Sequence, residues 1–334
     1  PGLALDEAAI AAEMARRAPG QNALSTARKE SDTVEIQSGF FNGFTTGTPL
    51  CARIVNSDQH SKDYSILADK MRPGHADYAG HVRYQGFNDY RGGGHFSGRL
   101  TAPLVFAGAV AKQALAQYGI VVGSHILQIN YIKEERFNPM GVSDEKLAAL
   151  HTKKFAVMND AVGEKMQERI LQAKSELNSV GGVIEAIALH LPAGIGAPYF
   201  DSVESMLSHA LFSVPAVKGV EFGDGFGFAG LTGAEANDAL HYADGQVQAL
   251  TNHNGGITGG ITNGMPLVVR VAIKPTPSIA REQQTVSLKE QADTTLAIVG
   301  RHDPCIVQRA VPVIEAVVAW TLWDLLLEAK KWEK

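Results

Sequence analysis

Arginine and lysine recur beside glycine or proline along this chain, away from the runs that read as helix interiors. The instances are Arg16-Arg17-Ala18-Pro19-Gly20, Arg72-Pro73-Gly74-His75, Arg91-Gly92-Gly93-Gly94, Ser97-Gly98-Arg99, Lys218-Gly219, Lys274-Pro275-Thr276 and Gly300-Arg301-His302-Asp303-Pro304. Glycine lets backbone amides come close to a ligand, and successive N–H groups form anion nests. A guanidinium binds phosphate or carboxylate through two parallel hydrogen bonds. Together these loops describe a pocket for a multiply charged anion. His75 and His302 lie in them with Asp77 and Asp303 close by in sequence. A histidine so placed can donate a proton near neutral pH or simply hold a structural hydrogen bond, and spacing alone leaves both open. A metal site built from His75, Asp77 and His81 matches no zinc spacing and lacks thiolates. No GxxxxGK[ST] occurs, which argues against a P-loop nucleotidase. Gly223-Asp224-Gly225-Phe226-Gly227 resembles a dinucleotide turn, but its third glycine is displaced and no βαβ unit surrounds it.

The bulk composition sets the frame for such a pocket. The 334 residues are 45% hydrophobic and 19% charged, enough to bury a sizeable core, and carry a formal net charge of −5. Phosphate-backbone binding usually needs a basic face, so the charge balance argues against nucleic acid as the main partner but not against a small anion in a local basic pocket. Two cysteines, Cys51 and Cys305, lie far apart and suit a reducing cytoplasm better than a disulfide framework. The greasiest stretch, 310–329, contains Glu315 and Asp324 and reads as a buried helix rather than a membrane span.

The elements that must position these loops follow from pattern and punctuation. Helices are expected over 6–17 with Asp6 as N-cap, over 101–118 with Thr101 as cap, and over 144–151, 159–175, 202–212 and 310–331. Strands are expected at 34–41, 50–56, 120–129, 182–191, 219–222 and 266–274. Residues 58–94 and 252–264 read as long functional loops. Strands and helices do not alternate as βα units, so an α+β class with antiparallel pairing is predicted, as one domain over 1–334.

The motifs, in this order along the chain, resemble the chorismate synthase family. They are Arg16-Arg17-Ala18-Pro19-Gly20, Thr45-Thr46-Gly47-Thr48, Asn56-Ser57-Asp58, Arg72-Pro73-Gly74-His75-Ala76-Asp77-Tyr78, Asp89-Tyr90-Arg91-Gly92-Gly93-Gly94, Ala216-Val217-Lys218-Gly219-Val220-Glu221, Asn252-His253-Asn254-Gly255-Gly256-Ile257, Lys274-Pro275-Thr276-Pro277-Ser278 and Gly300-Arg301-His302-Asp303-Pro304-Cys305. The resemblance implies helices sandwiched between two antiparallel β-sheets, a homotetramer, and reduced FMN as cofactor. It implies a 1,4-anti elimination of phosphate from 5-enolpyruvylshikimate 3-phosphate to give chorismate, with no net redox change. The sequence leaves open whether NADPH reduces the flavin on the enzyme or an external reductase does so. By resemblance, His75 is a proton donor beside the flavin and Asp303 an acid that assists proton removal. His95, Phe96, Ser97, Pro215, Ala216, Gly259, Lys274, Pro275, Thr276, Pro277, Ser278 and Arg301 match flavin-contacting positions. Arg17 matches the substrate edge, and Arg91 and Arg99 are further anion ligands.

Departures are equally specific. Many members read Arg-Ser-Ser-Ala-Arg-Glu where this chain has His95-Phe96-Ser97-Gly98-Arg99-Leu100, and Ala23 stands where arginine is frequent. Pro1-Gly2 matches family sequence just beyond a Gly-Glu-Ser-His motif that carries a second catalytic histidine, and the natural protein is expected to carry that segment. The rival reading is a flavin- or nucleotide-binding module without elimination activity.

Overall fold

A computed structural model of the chain describes residues 1–20, 24–25, 31–56, 66–243, 245–298 and 302–332. The first helix, α1 (Glu7–Arg17), starts where Asp6 accepts hydrogen bonds from the amides of Ala8 and Ala9 at 2.8 and 3.0 Å. Strands β1 (Val34–Ser38) and β4 (Cys51–Ile54) pair antiparallel, and between them β2 (Phe40–Phe41) and β3 (Phe44–Thr45) form a tight hairpin. Then come α2 (Asp77–Arg83), α3 (Thr101–Ala116), β5 (Val121–Ile129), β6 (Ile132–Lys133), α4 (Asp144–Thr152) and α5 (Asp160–Ser175). After β7 (Gly182–Leu189), α6 (Val203–Ser213) and β8 (Val217–Phe222), the chain makes α7 (Gly233–Ala236) and the hairpins β9 (Leu240–Ala243) with β10 (Gln246–Ala249) and β11 (Ile257–Thr258) with β12 (Ile261–Thr262). It closes with β13 (Leu267–Ile273), the pair β14 (Gln283–Ser287) and β15 (Ala292–Leu296), and α8 (Val307–Ala329).

One five-stranded sheet organises the molecule, in the order β6-β5-β7-β13-β8, antiparallel throughout. Its inner face carries Ile126, Ile184 and Val271, which join the main core with Val317, Val318 and Leu322 of α8. Its outer face carries Ile187, Leu189 and Val268, packed with Leu147 and Leu150 of α4. Strand alternation explains why each sheet-facing helix finds an apolar stripe. The outer face also carries a buried charge row. His125 sits opposite Glu185, Glu185 opposite Arg270, and Arg270 opposite Glu221. The two His125 ring nitrogens meet Glu134 and Glu185, and Arg270 bonds Glu221 at 2.6 Å. Buried charges persist only when paired, and opposite signs alternate along this row.

Helix α8 is the hub, touching α1, α3, α6, β5 and β7. It approaches α3 closely because position 108 is glycine: a Cβ there would overlap Ala316. Beside this contact lies the buried carboxylate of Glu315. Arg16 of α1 donates to it through Nη1 and Nη2 at 2.7 and 3.0 Å, Lys112 of α3 through Nζ at 2.6 Å, and Ser124 of β5 through Oγ at 2.9 Å. Glu13 completes the group, accepting from Arg16 at 2.9 Å and Lys112 at 2.6 Å and lying 2.9 Å from His151 Nε2. Burial alone would raise the Glu315 carboxyl, but the charges of Arg16 and Lys112 outweigh it and hold the group at about 2. Glu13, His151 and Glu315 also place ligand-type atoms within 4.8 Å of one another, but Arg16 and Lys112 already occupy both carboxylates.

The expected α+β class with antiparallel pairing is present. The second sheet of the expected sandwich is not formed as one sheet among the described residues. Strands of two to five residues, each closed on a neighbour by hairpin or return, stand there as five separate pairs. The 58–94 stretch is not all loop, since α2 lies within it; residues 57–65 and Ala23 fall outside the described residues. Thr101 does not cap α3 but is its first residue, donating to Gly98 O at 2.6 Å and accepting from Arg17 Nε at 3.2 Å. Helix α8 begins at Val307, one turn earlier than expected, with Pro312 inside it. Among the described residues it alone is long and apolar enough to cross a membrane, and its apolar window is 78% buried in the protein core.

Replacing Gly108 by valine should destabilise the protein by about 1–3 kcal/mol through overpacking against Ala316, read as a lower urea midpoint with unchanged slope. Glu315 gives a second test. Its folded-state value lies below the ordinary 4.5, so its stabilisation is complete above about pH 4.5 and is lost as pH falls towards 2. Glu315→Gln should therefore lose less stability than the native chain between pH 4.5 and 2, measured by urea midpoints across that range.

Candidate active site

A cavity of about 530 Å³ opens where the ends of several elements meet. Its walls come from the end of α1 (Arg17, Pro19), the 72–76 turn before α2, the 95–101 segment leading into α3, the α6–β8 junction (212–218), the segment after β13 (274–278) and the start of α8. Among the described residues, six cationic side chains line it, Arg17, Arg72, Arg99, Lys218, Lys274 and Arg309, together with His75, His95 and His302. Asp303 is the single carboxylate among the described lining residues. In a protein of net charge −5 this is a strong local concentration of positive charge.

The Pro73-Gly74 turn, with Gly74 at φ +70°, folds His75 back onto Arg72. Arg72 is buried and grips Asp77 in a fork, Nε to Oδ2 and Nη2 to Oδ1, both at 2.7 Å. Its Nη1 donates to Ser278 Oγ at 3.2 Å, so the segment after β13 anchors the same group. His75 Nδ1 lies 2.7 Å from Asp77 Oδ1 and 3.1 Å from Arg72 Nη2. Burial would raise the Asp77 carboxyl, but hydrogen bonds from Arg72 and His75 and the guanidinium charge hold it well below the usual carboxylate range.

Elsewhere in the lining, Asp303 accepts from Arg309 Nη1 at 2.7 Å, and Arg309 Nε donates to the carbonyl of Arg17 at 3.1 Å. Arg17 is buried; it pairs with Asp32, donates to Thr101 Oγ1, and donates through Nη2 to Gly98 O at 3.1 Å. The starts of α3 and α8 and the end of α1 are thus tied together behind the cavity.

Lys274 donates to the carbonyl of Gly74 rather than to a carboxylate. Burial and then the neighbouring Lys218 charge lower its pKa. Its backbone amide bonds the carbonyl of Ala216 at 2.9 Å, and Ala216 holds φ +78°, a conformation that costs a non-glycine residue about 1–3 kcal/mol. Thr276 Oγ1 is buried without a hydrogen-bond partner, although its own carbonyl accepts from Ser179 Oγ at 2.7 Å. An orphaned hydroxyl in a cationic cavity of this size fits a phosphorylated cofactor that would supply the missing partner.

The structure brings most of the sequence-derived residues together. His75, Asp303, His95, Phe96, Ser97, Pro215, Ala216, Lys274, Thr276, Pro277, Ser278, Arg17 and Arg99 all line the cavity. Pro275 lies between two lining residues and is itself exposed. Arg91 does not line it: exposed, it folds back on Asp89 with Nε and Nη2 both at 2.8 Å. Gly259 does not line it either, because at φ +63° it forms the turn of the β11–β12 hairpin. Arg301 lies outside the described residues. Arg309 was not foreseen, because a lone arginine in the first turn of an apolar helix carries no loop signature. Arg72 and Lys218 stand among the cations beside proline or glycine that mark the anion pocket, whereas Asp77 shows in the sequence only as an acid near His75.

Comparison with known proteins agrees with this picture. The family model for chorismate synthase matches residues 1–327. The chorismate synthase of Thermococcus gammatolerans is 47% identical over 333 residues, covering 100% of this chain and 91% of that protein. That of Dehalococcoides mccartyi is 46% identical over 335 residues, covering 98% and 89%. A crystal structure of chorismate synthase matches with a TM-score of 0.75 at 30% identity, covering 98% of this chain and 85% of the other. With family match, relatives and fold all in agreement over nearly its whole length, the chain belongs to the chorismate synthase family.

Proposed function

We propose that this cavity binds 5-enolpyruvylshikimate 3-phosphate against reduced FMN and eliminates the phosphate by a 1,4-anti route to give chorismate. The observation that carries the reading is the lining itself: among the described residues, six cations and one carboxylate, with His75 and Asp303 on the same cavity. A phosphate dianion, the substrate carboxylates and a cofactor phosphate need such a density of positive charge to sit together, and charge placed in advance stabilises the departing phosphate. Lys274, Lys218, Ser97, Ala216, Thr276 and Ser278 are the residues that would hold the flavin. Reduced flavin, when bound, supplies electron density to the breaking C–O bond and recovers it as the C6 hydrogen leaves. The chain's own side chains do the rest. Arg17, Arg99 and Arg309 orient the anion, His75 holds a proton at the cavity wall, and Asp303 offers a carboxylate to a proton being removed.

The flavin's reduction is open to NADPH or to a separate reductase. The setting is cytoplasmic, in keeping with the free Cys51 and Cys305. A homotetramer is supported by exposed apolar side chains, Tyr199, Phe200, Phe226, Leu240 and Tyr242, each at least 70% exposed in the single chain. In such an assembly Gly259 and Arg91, which do not line this chain's cavity, would serve a neighbouring subunit.

The decisive experiment is anaerobic phosphate release with dithionite-reduced FMN, using the chain preceded by the Gly-Glu-Ser-His segment. Release only with reduced flavin is expected; FMN binding without release would favour a flavin-binding module. His75→Ala and Asp303→Ala should each lower kcat by about 10²-fold or more while changing FMN affinity by less than about threefold. Near-native turnover in both would remove them from the chemistry. Lys274→Met should weaken FMN binding by about tenfold in calorimetry, while Arg91→Met, whose guanidinium is paired outside the cavity, should leave it within about twofold unless a partner subunit uses it.

A further inference from the structure

We propose that Asp77 and Arg72 are positioning residues that fix which ring nitrogen of His75 exchanges the proton, an inference that rests on the functional reading above and deepens it. The argument is one of hydrogen-bond valence. Nδ1 of His75 has two neighbours, Asp77 Oδ1 at 2.7 Å and Arg72 Nη2 at 3.1 Å. A guanidinium can only donate and an ionised carboxylate can only accept. Nδ1 can satisfy one of them, by accepting from Arg72 or by donating to Asp77. The carboxylate is the nearer partner, and Arg72 Nη2 already donates to that same Oδ1 at 2.7 Å. Nδ1 therefore carries a proton and gives it to Asp77.

The consequence falls on the other nitrogen. Nε2 lies beside Gly93, where a Cβ would sit 3.7 Å from it, and it has no hydrogen-bond partner among the described residues. With Nδ1 committed, the imidazolium presents its second proton at Nε2, and the ring left after transfer is the Nδ1–H form. The N–H bond at Nε2 breaks, its electron pair stays on the ring, and the proton goes to the acceptor in the cavity. The carboxylate behind the ring orients it and balances the imidazolium charge, and does not itself take a proton.

Arg72 does the same for Asp77. Its fork fixes both carboxylate oxygens, its Nη1 reaches Ser278, and its own backbone N–H donates to Asp77 Oδ2 at 3.0 Å. The other charged group facing this corner is Lys274, whose Nζ reaches the Gly74 carbonyl; Gly93 and Ser97 bound it without charge. A lysine at position 72 would keep the charge but not the planar fork.

Solid-state ¹⁵N spectroscopy of histidine-labelled, flavin-free protein, with His75 assigned by difference from His75→Gln, reads the tautomer independently of activity. The neutral ring is expected protonated at Nδ1 in the native chain. Asp77→Asn should mix or invert the tautomers and lower kcat by about 10²-fold or more, with KM and FMN affinity within about threefold. Asp77→Glu should recover about tenfold of that loss, and Arg72→Lys should fall between Asp77→Asn and native. A native ring protonated at Nε2 overturns the proposal, and so does an Asp77→Asn enzyme with native kcat and an unchanged tautomer. If Asp77→Asn does not fold, the native spectrum decides alone. Failure of native protein to release phosphate would sink the functional reading instead, while the spectrum still reports on Asp77.

Discussion

The buried carboxylate of Glu315 is the point on which the rest of the architecture turns. Removing an ion from water is expensive, and the expense is met only where partners of opposite sign are already fixed. Arg16, Lys112 and Ser124 are those partners, and they come from α1, α3 and β5. Two of these elements, α1 and α3, have an end at the cavity, and so does α8, which carries Glu315 itself. Arg17 follows Arg16 directly and turns into the opposite side, Thr101 opens α3, and Arg309 and Ala310 lie less than two turns before Glu315 on α8. Holding one carboxylate in the core therefore fixes the mutual placement of three helix ends, and those ends carry the anion-binding side chains.

The cavity faces a converse problem, since six cations in a small space repel one another. The structure solves it by placing carboxylates behind the arginines. Asp77 lies behind Arg72, Asp32 behind Arg17, and Asp303 beside Arg309. These pairs hold the guanidinium groups in one geometry at the cavity wall. The lysines are treated differently. Lys274 meets a carbonyl and a second lysine, and its pKa is lowered first by burial and then by repulsion from Lys218. A bound anion would relieve that repulsion, so the lysine corner has the most to gain from a phosphate.

Sequence reasoning reached the site through punctuation rather than through periodicity. Arginine beside glycine or proline marks chain that leaves regular structure with a charge attached, which is why Arg17, Arg72, Arg99 and Lys274 were visible. Long helices and the sheet strands were legible for the usual reason, their apolar period. What stayed hidden depends on distant pairing. Glu315 and Arg16 are 299 residues apart, and nothing local shows that they meet. Arg309 sits in a helix that reads as pure core, so its role appears only when Asp303 and the Arg17 carbonyl arrive beside it. The 240–249 and 283–296 hairpins lack a strong alternation and are half exposed, so tertiary context rather than pattern decides them. Gly259 and Arg91 show the reverse failure: a matching motif says what a residue does in a family, but only the fold says which cavity it reaches.

The departure at His95-Phe96 can be read in the same physical terms. A ring at position 96 needs space, and the chain supplies it at Gly80 of α2, where a Cβ would overlap Phe96. Tyr84, one turn further along, packs against the same ring with centroids 6.4 Å apart. Phe96 thus braces α2, the helix whose first residue is Asp77, against the segment that leads into α3. A serine at that position would leave the glycine face of α2 unfilled. Phe96 supplies apolar contact that steadies the element bearing Asp77, and His95, exposed at the cavity edge, is the one titratable group of the pair. The altered segment is therefore coherent with its surroundings, because the residue that departs from the family and the glycine that accommodates it are in direct contact.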